Sequence, residues 1–116
     1  MGKFKIFQEE RPWGNFRQLT HNSFSTVKVI SIDPESSLSL QYHNNRSEFW
    51  RVLSGHPLLT IGEKIITAKP GDEFMIKKQQ KHRIETKNDS AQLLEISSGD
   101  FDEEDIIRIE DKYGRA

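Results

Sequence analysis

The stretch at residues 39–55 constrains the fold most, because it places side chains suited to metal binding on two neighbouring apolar segments. Gln41 and His43 are two positions apart, so on a β-strand both side chains point to the same face. A polar segment at 44–47 follows, and Glu48 then opens a second apolar run that ends in a Ser-Gly pair. The pattern predicts two strands joined by a loop, with candidate ligands converging beside that loop.

A second histidine joins this set from later in the chain. His82 lies near the start of a strand-like run at residues 81–86. One amide oxygen, two imidazoles and one carboxylate suit a divalent ion such as zinc, and a chain without cysteine must use nitrogen and oxygen ligands. We therefore predict a metal site for zinc, with manganese, iron, cobalt or nickel as alternatives. The predicted ligands are Gln41, His43, Glu48 and His82.

Each of these side chains also has a simpler alternative role, which for a lone histidine is a structural or exposed position. Gln41 could be a hydrogen-bonded core amide, and Glu48 could be a surface carboxylate. Because Trp50 shares the strand face of Glu48 and should be buried, we expect Glu48 at the rim of a barrel, beside a partner. The two remaining histidines, His21 and His56, lie in a polar turn and beside a proline, and we expect both at the surface.

Short apolar segments separated by turn residues recur along the chain. Residues 25–32 alternate in the manner of a half-buried strand, and Gly62-Glu63 between two β-rich segments predicts a hairpin. Further strands are predicted at 16–19, 58–61, 64–67, 73–76, 81–86, 91–97 and 106–109. The Pro-Trp-Gly sequence at 12–14 predicts a turn anchored by a packed Trp13. No segment in the first 100 residues predicts a helix, so we predict an all-β sandwich or barrel.

Length and composition limit the remaining possibilities. A chain of 116 residues is enough for one core, so residues 1–116 are predicted to form a single domain. The net charge of -1 gives no reason to expect binding to nucleic acid or to an anionic membrane. No apolar run approaches the roughly 18 residues of a membrane span, and the first residues lack a signal-peptide core. The predicted location is the cytoplasm.

The spacing of the candidate ligands resembles the two sequence motifs of the cupin family, with glutamine in place of the first histidine. The matching spacings are Gln41-x-His43-x4-Glu48-x6-Gly55 and Gly71-x10-His82. This resemblance implies a double-stranded β-helix, that is, a jelly-roll barrel, and implies a metal bound by the four candidate ligands. Pairing of an edge strand between two copies would cover an exposed edge, so we also predict a homodimer.

A second, narrower resemblance extends over nearly the whole chain. Its segments are R-P-W-G at 11–14, S-L-S-L-Q-Y-H at 37–43, R-S-E-x-W at 46–50, K-H-R at 81–83 and E-D-x-Y-G-R at 110–115. They are similar to the type II mannose-6-phosphate isomerases, the cupin domain of the phosphomannose isomerase/mannose-1-phosphate guanylyltransferase family. The resemblance implies a zinc-dependent interconversion of mannose 6-phosphate and fructose 6-phosphate, and a C-terminal segment that folds back on the barrel.

Such an isomerase needs a proton-transfer group and partners for the phosphate and the developing oxyanion. Glu95 or a metal-bound water is the candidate for proton transfer. The candidate anion-binding residues are Arg11, Lys81 and Arg115, with Arg115 also placed in the catalytic set. Arg83 is a weaker candidate, because strand alternation sets it on the face opposite His82.

Several positions depart from the isomerase pattern and support a second hypothesis. Asn44 and Asn45 replace a histidine-rich run, Phe49 replaces a histidine, and Lys77 and Gln79 replace the proline and glycine of the second motif. The alternative function is a non-catalytic, metal-binding cupin that binds a sugar phosphate or sugar nucleotide. A metal-dependent oxygenase is a third possibility, which the glutamine at the first ligand position makes less favourable.

Overall fold

The computed structural model describes residues 4–99, 101–102 and 104–115, and the predicted all-β fold is confirmed. The strands within these residues are β1 (Phe4–Arg11), β2 (Gly14–Thr20), β3 (Ser25–Ile32), β4 (Leu40–Tyr42), β5 (Ser47–Ser54), β6 (Leu58–Ile61), β7 (Lys64–Thr67), β8 (Glu73–Ile76), β9 (His82–Glu85), β10 (Ala91–Ser98) and β11 (Ile107–Glu110). No helix is found among the described residues that has the length and apolarity needed to cross a membrane.

Two antiparallel sheets enclose the core. One has the strand order β3-β10-β5-β8, and the other has the order β11-β4-β9-β6-β7. Each sheet contributes fully buried apolar side chains to one cluster, such as Trp50 and Leu93 from the first and Leu59 and Ile84 from the second. Burial of these side chains supplies the main driving force for closing the two sheets on each other.

Strand alternation decides which polar side chains enter this core. In β5, Glu48, Trp50 and Val52 share the inner face, and all three are buried. The pairing of β10 with β5 sets Glu95 opposite Trp50 and Ser97 opposite Glu48. Two carboxylates are therefore carried into the interior by the same pattern that buries the apolar residues.

The first two strands form a separate hairpin that pairs with neither sheet. Its start packs on the outside of the barrel, where the ring of Phe4 lies 6.1 Å from the ring of Phe49. Arg17 of β2 also forms an ion pair with Glu73 of β8. Contrary to the predicted packed turn, Trp13 at the hairpin tip is 73% exposed, since Phe4 and Arg17, which tie this hairpin to the barrel, lie away from its tip.

The C-terminal segment folds back on the barrel as predicted. Residues 107–110 form β11, which pairs with β4 and is an edge strand of the five-stranded sheet. Before it, the carboxylate of Asp102 accepts a hydrogen bond from the backbone N–H of Glu104 at 2.9 Å, and its carbonyl oxygen accepts one from the N–H of Asp105 at 3.0 Å. This return of the chain brings Phe101, Asp102 and Asp105 next to the loop that precedes β5.

Candidate metal centre

Three side chains that the sequence places far apart meet inside the barrel. His43 directly follows β4, Glu48 is the second residue of β5, and His82 is the first residue of β9. Their relative exposures are 3%, 2% and 2%, and one potential ligand atom from each lies within 4.8 Å of the others. Glu48 is thus fully buried, contrary to its predicted place at the barrel rim, because it has buried hydrogen-bond partners.

Backbone carbonyl groups fix the orientation of both imidazoles. The Nδ1–H of His43 donates to the carbonyl oxygen of Asp105 at 2.6 Å, and the Nδ1–H of His82 donates to that of Gln80 at 2.9 Å. Each Nε2 therefore carries the free lone pair of its ring, and both Nε2 atoms lie within 4 Å of Glu48, that of His43 also 3.2 Å from Nη2 of Arg46. The Nε2 of His82 is buried and has no hydrogen-bond partner among the described residues, which a bound ion would explain.

The distances between the ligand atoms match those around a small divalent ion. His43 Nε2 lies 3.4 Å from Oε2 of Glu48, and His82 Nε2 lies 3.8 Å from Oε1 of Glu48. Ligands bound tetrahedrally at about 2.1 Å are about 3.4 Å apart. The three side chains therefore form a group that fits a divalent metal ion.

The protonation states of the histidines also suit metal binding. Burial lowers the pKa of His43 and of His82, although Glu48 opposes this effect at both. Both imidazoles are consequently neutral near pH 7, which is the form that binds metals. The carboxylate of Glu48 accepts hydrogen bonds from the indole N–H of Trp50 at 3.0 Å and from Arg46 Nε at 3.2 Å.

Gln41, the fourth predicted ligand, lies beside this cluster. It pairs directly with His82 in the register of β4 and β9, so the two side chains share one sheet face. Its amide oxygen accepts a hydrogen bond from the hydroxyl of Ser39 at 3.0 Å. Gln41 as a metal ligand stays a prediction, with its side chain on the correct face.

Arg46 is a site residue that the sequence interpretation did not identify. It is 7% exposed, and its Nη2 lies 3.2 Å from Nε2 of His43 while its Nε donates to Glu48. Its Nη1 donates to the carbonyl oxygen of Asp102 at 3.2 Å. The available signal was its place two residues before Glu48, which puts it within reach of the same interior space.

The segment before β11 covers this arginine. The guanidinium of Arg46 stacks over the ring of Phe101 at 4.4 Å, and the Nζ of Lys28 lies 4.2 Å from the same ring. The carboxylate of Asp105 accepts hydrogen bonds from the backbone N–H groups of Asn44 and Asn45, each at 2.9 Å. The loop that carries His43 is therefore held by the C-terminal segment.

Glu95, the predicted proton-transfer residue, lies in the same interior. It is 8% exposed, and its carboxylate accepts a hydrogen bond from the hydroxyl of Ser97 at 3.4 Å. Burial, and secondly the charge of Glu48, raises the pKa of Glu95 to about 7. A carboxyl group with such a pKa can exchange a proton near neutral pH.

The predicted anion-binding residues lie apart from the cluster. Arg11 is at the end of β1 and forms an ion pair with Glu9, while Lys81 is exposed. Arg115 forms an ion pair with Asp111 at 2.7 Å. No contact between these three side chains and the histidine–carboxylate cluster is found among the described residues, and their roles stay predictions.

The surface histidines agree with expectation. His21 is exposed and lies 3.0 Å from the amide of Asn22, and His56 is exposed and pairs with Asp89 at 3.0 Å. Neither approaches the interior cluster in the described structure. They provide matched controls for tests of the buried histidines.

The two facing sheets have the cupin fold. A cupin protein from Bacteroides fragilis has the same fold, with a TM-score of 0.60 at 21% identity over 65% of this chain and 65% of that one. This likeness confirms the architecture that the resemblance to cupins implied.

The sequence comparisons give the family. A family model for the mannose-6-phosphate isomerase C-terminal domain matches residues 4–111, and the chain belongs to that family. The xanthan biosynthesis protein XanB of Xanthomonas campestris is 36% identical over 107 residues, which are 90% of this chain and 23% of that protein. Mannose-1-phosphate guanylyltransferase 2 of Escherichia coli O157:H7 is 36% identical over 105 residues, 89% of this chain and 22% of that protein. The chain thus spans less than a quarter of these relatives.

Proposed function

We propose that the protein is a metal-dependent sugar-phosphate isomerase that interconverts mannose 6-phosphate and fructose 6-phosphate. The observation that carries this proposal is the buried cluster in which the Nε2 atoms of His43 and His82 lie 3.4 Å and 3.8 Å from the carboxylate oxygens of Glu48. The family match and relatives named for mannose 1-phosphate chemistry support the substrate class. We propose zinc as the metal and Gln41 as the fourth ligand, while the homodimer and the cytoplasmic location stay predictions.

The chemistry of an aldose–ketose isomerisation matches the groups present. A base removes the proton from C2 of the open-chain aldose, and the C–H electron pair forms the C1–C2 double bond of an enediolate as O1 gains negative charge. The hydroxyl proton on O2 then passes to O1, and the C2 carbonyl forms as the C1–C2 double-bond electrons take the proton back at C1, which gives the ketose. A metal bound by the cluster would polarise the sugar oxygens at C1 and C2.

Glu95 is proposed as the group that carries this proton. Its raised pKa lies near the operating pH, so the carboxylate can accept the proton from C2 and the carboxylic acid can return it to C1. Arg46 would stabilise the enediolate oxygens, since its guanidinium is buried beside the ligand atoms. The ring of Phe101 over Arg46 would limit access of water to this region.

A second candidate function is a cupin that binds a sugar phosphate or sugar nucleotide without turnover. The observation that favours it is the loop at 44–45, where asparagines stand in place of the histidines of the isomerase pattern. The side chain of Asn44 accepts a hydrogen bond from Gln79, and the backbone of both asparagines is held by Asp105. These residues therefore have structural partners that need no substrate.

One experiment separates the two functions. Metal-loaded protein is incubated with mannose 6-phosphate in deuterated water, and NMR follows deuterium incorporation and fructose 6-phosphate. Exchange and product that persist in His56→Ala but disappear in Glu48→Gln would support the isomerase. Saturable binding of the sugar phosphate with neither exchange nor product would favour the binding protein.

A further inference from the structure

A row of three side chains crosses the five-stranded sheet at the metal centre. The strand pairing sets Arg108 of β11 opposite Gln41 of β4, and Gln41 opposite His82 of β9. Directly paired residues point to the same face of an antiparallel sheet. Because His82 faces the interior, Arg108 also belongs to the inner face, beside the proposed metal ligands.

The backbone of β11 supports this placement. Ile107 and Ile109 on either side of Arg108 are exposed, which agrees with the opposite orientation of Arg108. A register shift follows Arg108 in its pairing with β4. Such irregularities redirect side chains at the edges of barrels.

Among the described residues, Arg108 differs from the other arginines in having no ion-pair partner. Its Nε atom is buried without a hydrogen-bond acceptor, as is that of Arg83, but Arg83 pairs with Glu110 through Nη2, whereas no ion pair to the Arg108 guanidinium is found in the described structure. Each other arginine has a carboxylate partner; the pairs are Arg11 with Glu9, Arg17 and Arg51 with Glu73, Arg46 with Glu48, Arg83 with Glu110, and Arg115 with Asp111. A buried guanidinium donor without an acceptor is costly, so a ligand is a natural acceptor for Arg108.

The ligand chemistry follows from the guanidinium group. Its planar donors match a phosphate or carboxylate in bidentate fashion. Adjacent strands are about 4.8 Å apart, so Arg108 lies two strands, or about 10 Å, from His82 along the sheet. That separation is comparable to the length of a six-carbon sugar phosphate whose far end reacts at the metal centre.

We propose that Arg108 binds the phosphate group of the substrate, while C1 and C2 of the sugar lie at the metal centre. This inference rests on the proposed function and names the residue that selects phosphorylated sugars. The test measures binding of mannose 6-phosphate, unphosphorylated mannose and inorganic phosphate to metal-loaded protein by isothermal titration calorimetry. The variants are Arg108→Gln and Arg108→Lys, and Arg83→Gln is the matched control on the opposite face of the same sheet.

The expected result is a Kd for mannose 6-phosphate that rises at least about tenfold in Arg108→Gln and less in Arg108→Lys. Arg83→Gln should bind as the wild type does, and every variant should retain its metal. In the wild type, inorganic phosphate should shift the Arg108 Nε–H resonance, a readout that requires no mutation.

Unchanged binding in both Arg108 variants would overturn the proposal, as would loss of metal from them or a wild type that binds no phosphate compound. If Arg108→Gln does not fold, Arg108→Lys and the Nε–H resonance decide the question. Phosphate binding that depends on Arg108 in a protein without isomerase activity would support Arg108 as the phosphate-binding residue and remove the proposed function.

Discussion

The Nδ1–H group of His43 donates to the carbonyl oxygen of Asp105 at 2.6 Å, across 62 positions of sequence. The same aspartate holds the next two backbone N–H groups of the histidine loop through its carboxylate. Asp105, a single residue in the segment before β11, thus fixes both the tautomer of a candidate metal ligand and the loop that carries it. The C-terminal segment is part of the metal centre for this reason.

Removal of the Asp105 side chain should weaken metal binding without removing a ligand. In Asp105→Ala, the loop at 44–45 loses two hydrogen bonds, and His43 is held less firmly. We expect zinc affinity to fall by about tenfold in competition with a chelator, in line with other outer-shell partners of metal ligands. Asp89→Ala, which removes an exposed carboxylate paired with His56, is the control. Equal zinc affinity in the two variants would contradict the role assigned to Asp105.

Glu95→Gln should change both the activity and its pH dependence. Because burial and then Glu48 raise the pKa of Glu95 from 4.5 to about 7, the ionised base forms only as the pH rises through that value. Wild-type kcat/KM should rise in this pH range, and the kcat/KM of the glutamine variant should be lower by about a hundredfold or more. The exposed Glu63→Gln is the control. A wild-type profile that persists in Glu95→Gln would assign the proton transfer to another group.

A separate prediction for Glu95→Gln concerns how the stability of the fold depends on pH. A carboxyl group whose pKa is raised by folding lowers the free energy of unfolding at any pH where that group is ionised in the unfolded chain. Relative to Glu95→Gln, the wild type should therefore lose stability as the pH rises from about 4.5 to about 7, and keep that deficit above it. Thermal unfolding of both proteins at about pH 5 and about pH 8 measures the difference. The opposite trend would show that Glu95 is stabilised in its ionised form.

Two glycines with similar backbone conformations should differ in their tolerance of alanine. Gly55 has φ of +81°, and a Cβ there would lie 2.2 Å from the carbonyl oxygen of Ser90. Gly71 has φ of +93°, but a Cβ there would meet nothing within 4 Å. Gly71→Ala should lower the free energy of unfolding by about 1 kcal/mol, and Gly55→Ala by more than about 2 kcal/mol. Denaturant unfolding tests this, and equal losses would refute the steric argument.

The strand pattern was predictable wherever local signals are strong. The hairpin turn at Gly62-Glu63 defines β6 and β7, and alternation defines β3, so these strands have the predicted bounds. The convergence of His43, Glu48 and His82 followed from motif spacing, because a resemblance to a known family carries long-range information that periodicity lacks.

The other site contacts could not be derived from local pattern. Arg46 reaches Asp102, and Asn44 reaches Asp105, across more than 50 positions of sequence. Whether Glu48 lies at a rim or in the interior depends on such partners, which explains its incorrect placement. The exposure of Trp13 depends on where the β1–β2 hairpin lies, and a two-stranded pattern does not specify this.

Metal titration of the purified protein tests the central claim most directly. Stripped wild-type protein is titrated with zinc beside His82→Ala and the surface control His56→Ala, and bound metal is quantified by elemental analysis after removal of free ions. We predict one tightly bound equivalent in the wild type and in His56→Ala, and loss of that equivalent in His82→Ala. Wild-type metal content in His82→Ala, or no bound metal in the wild type, would contradict the assignment of the buried cluster as a metal centre.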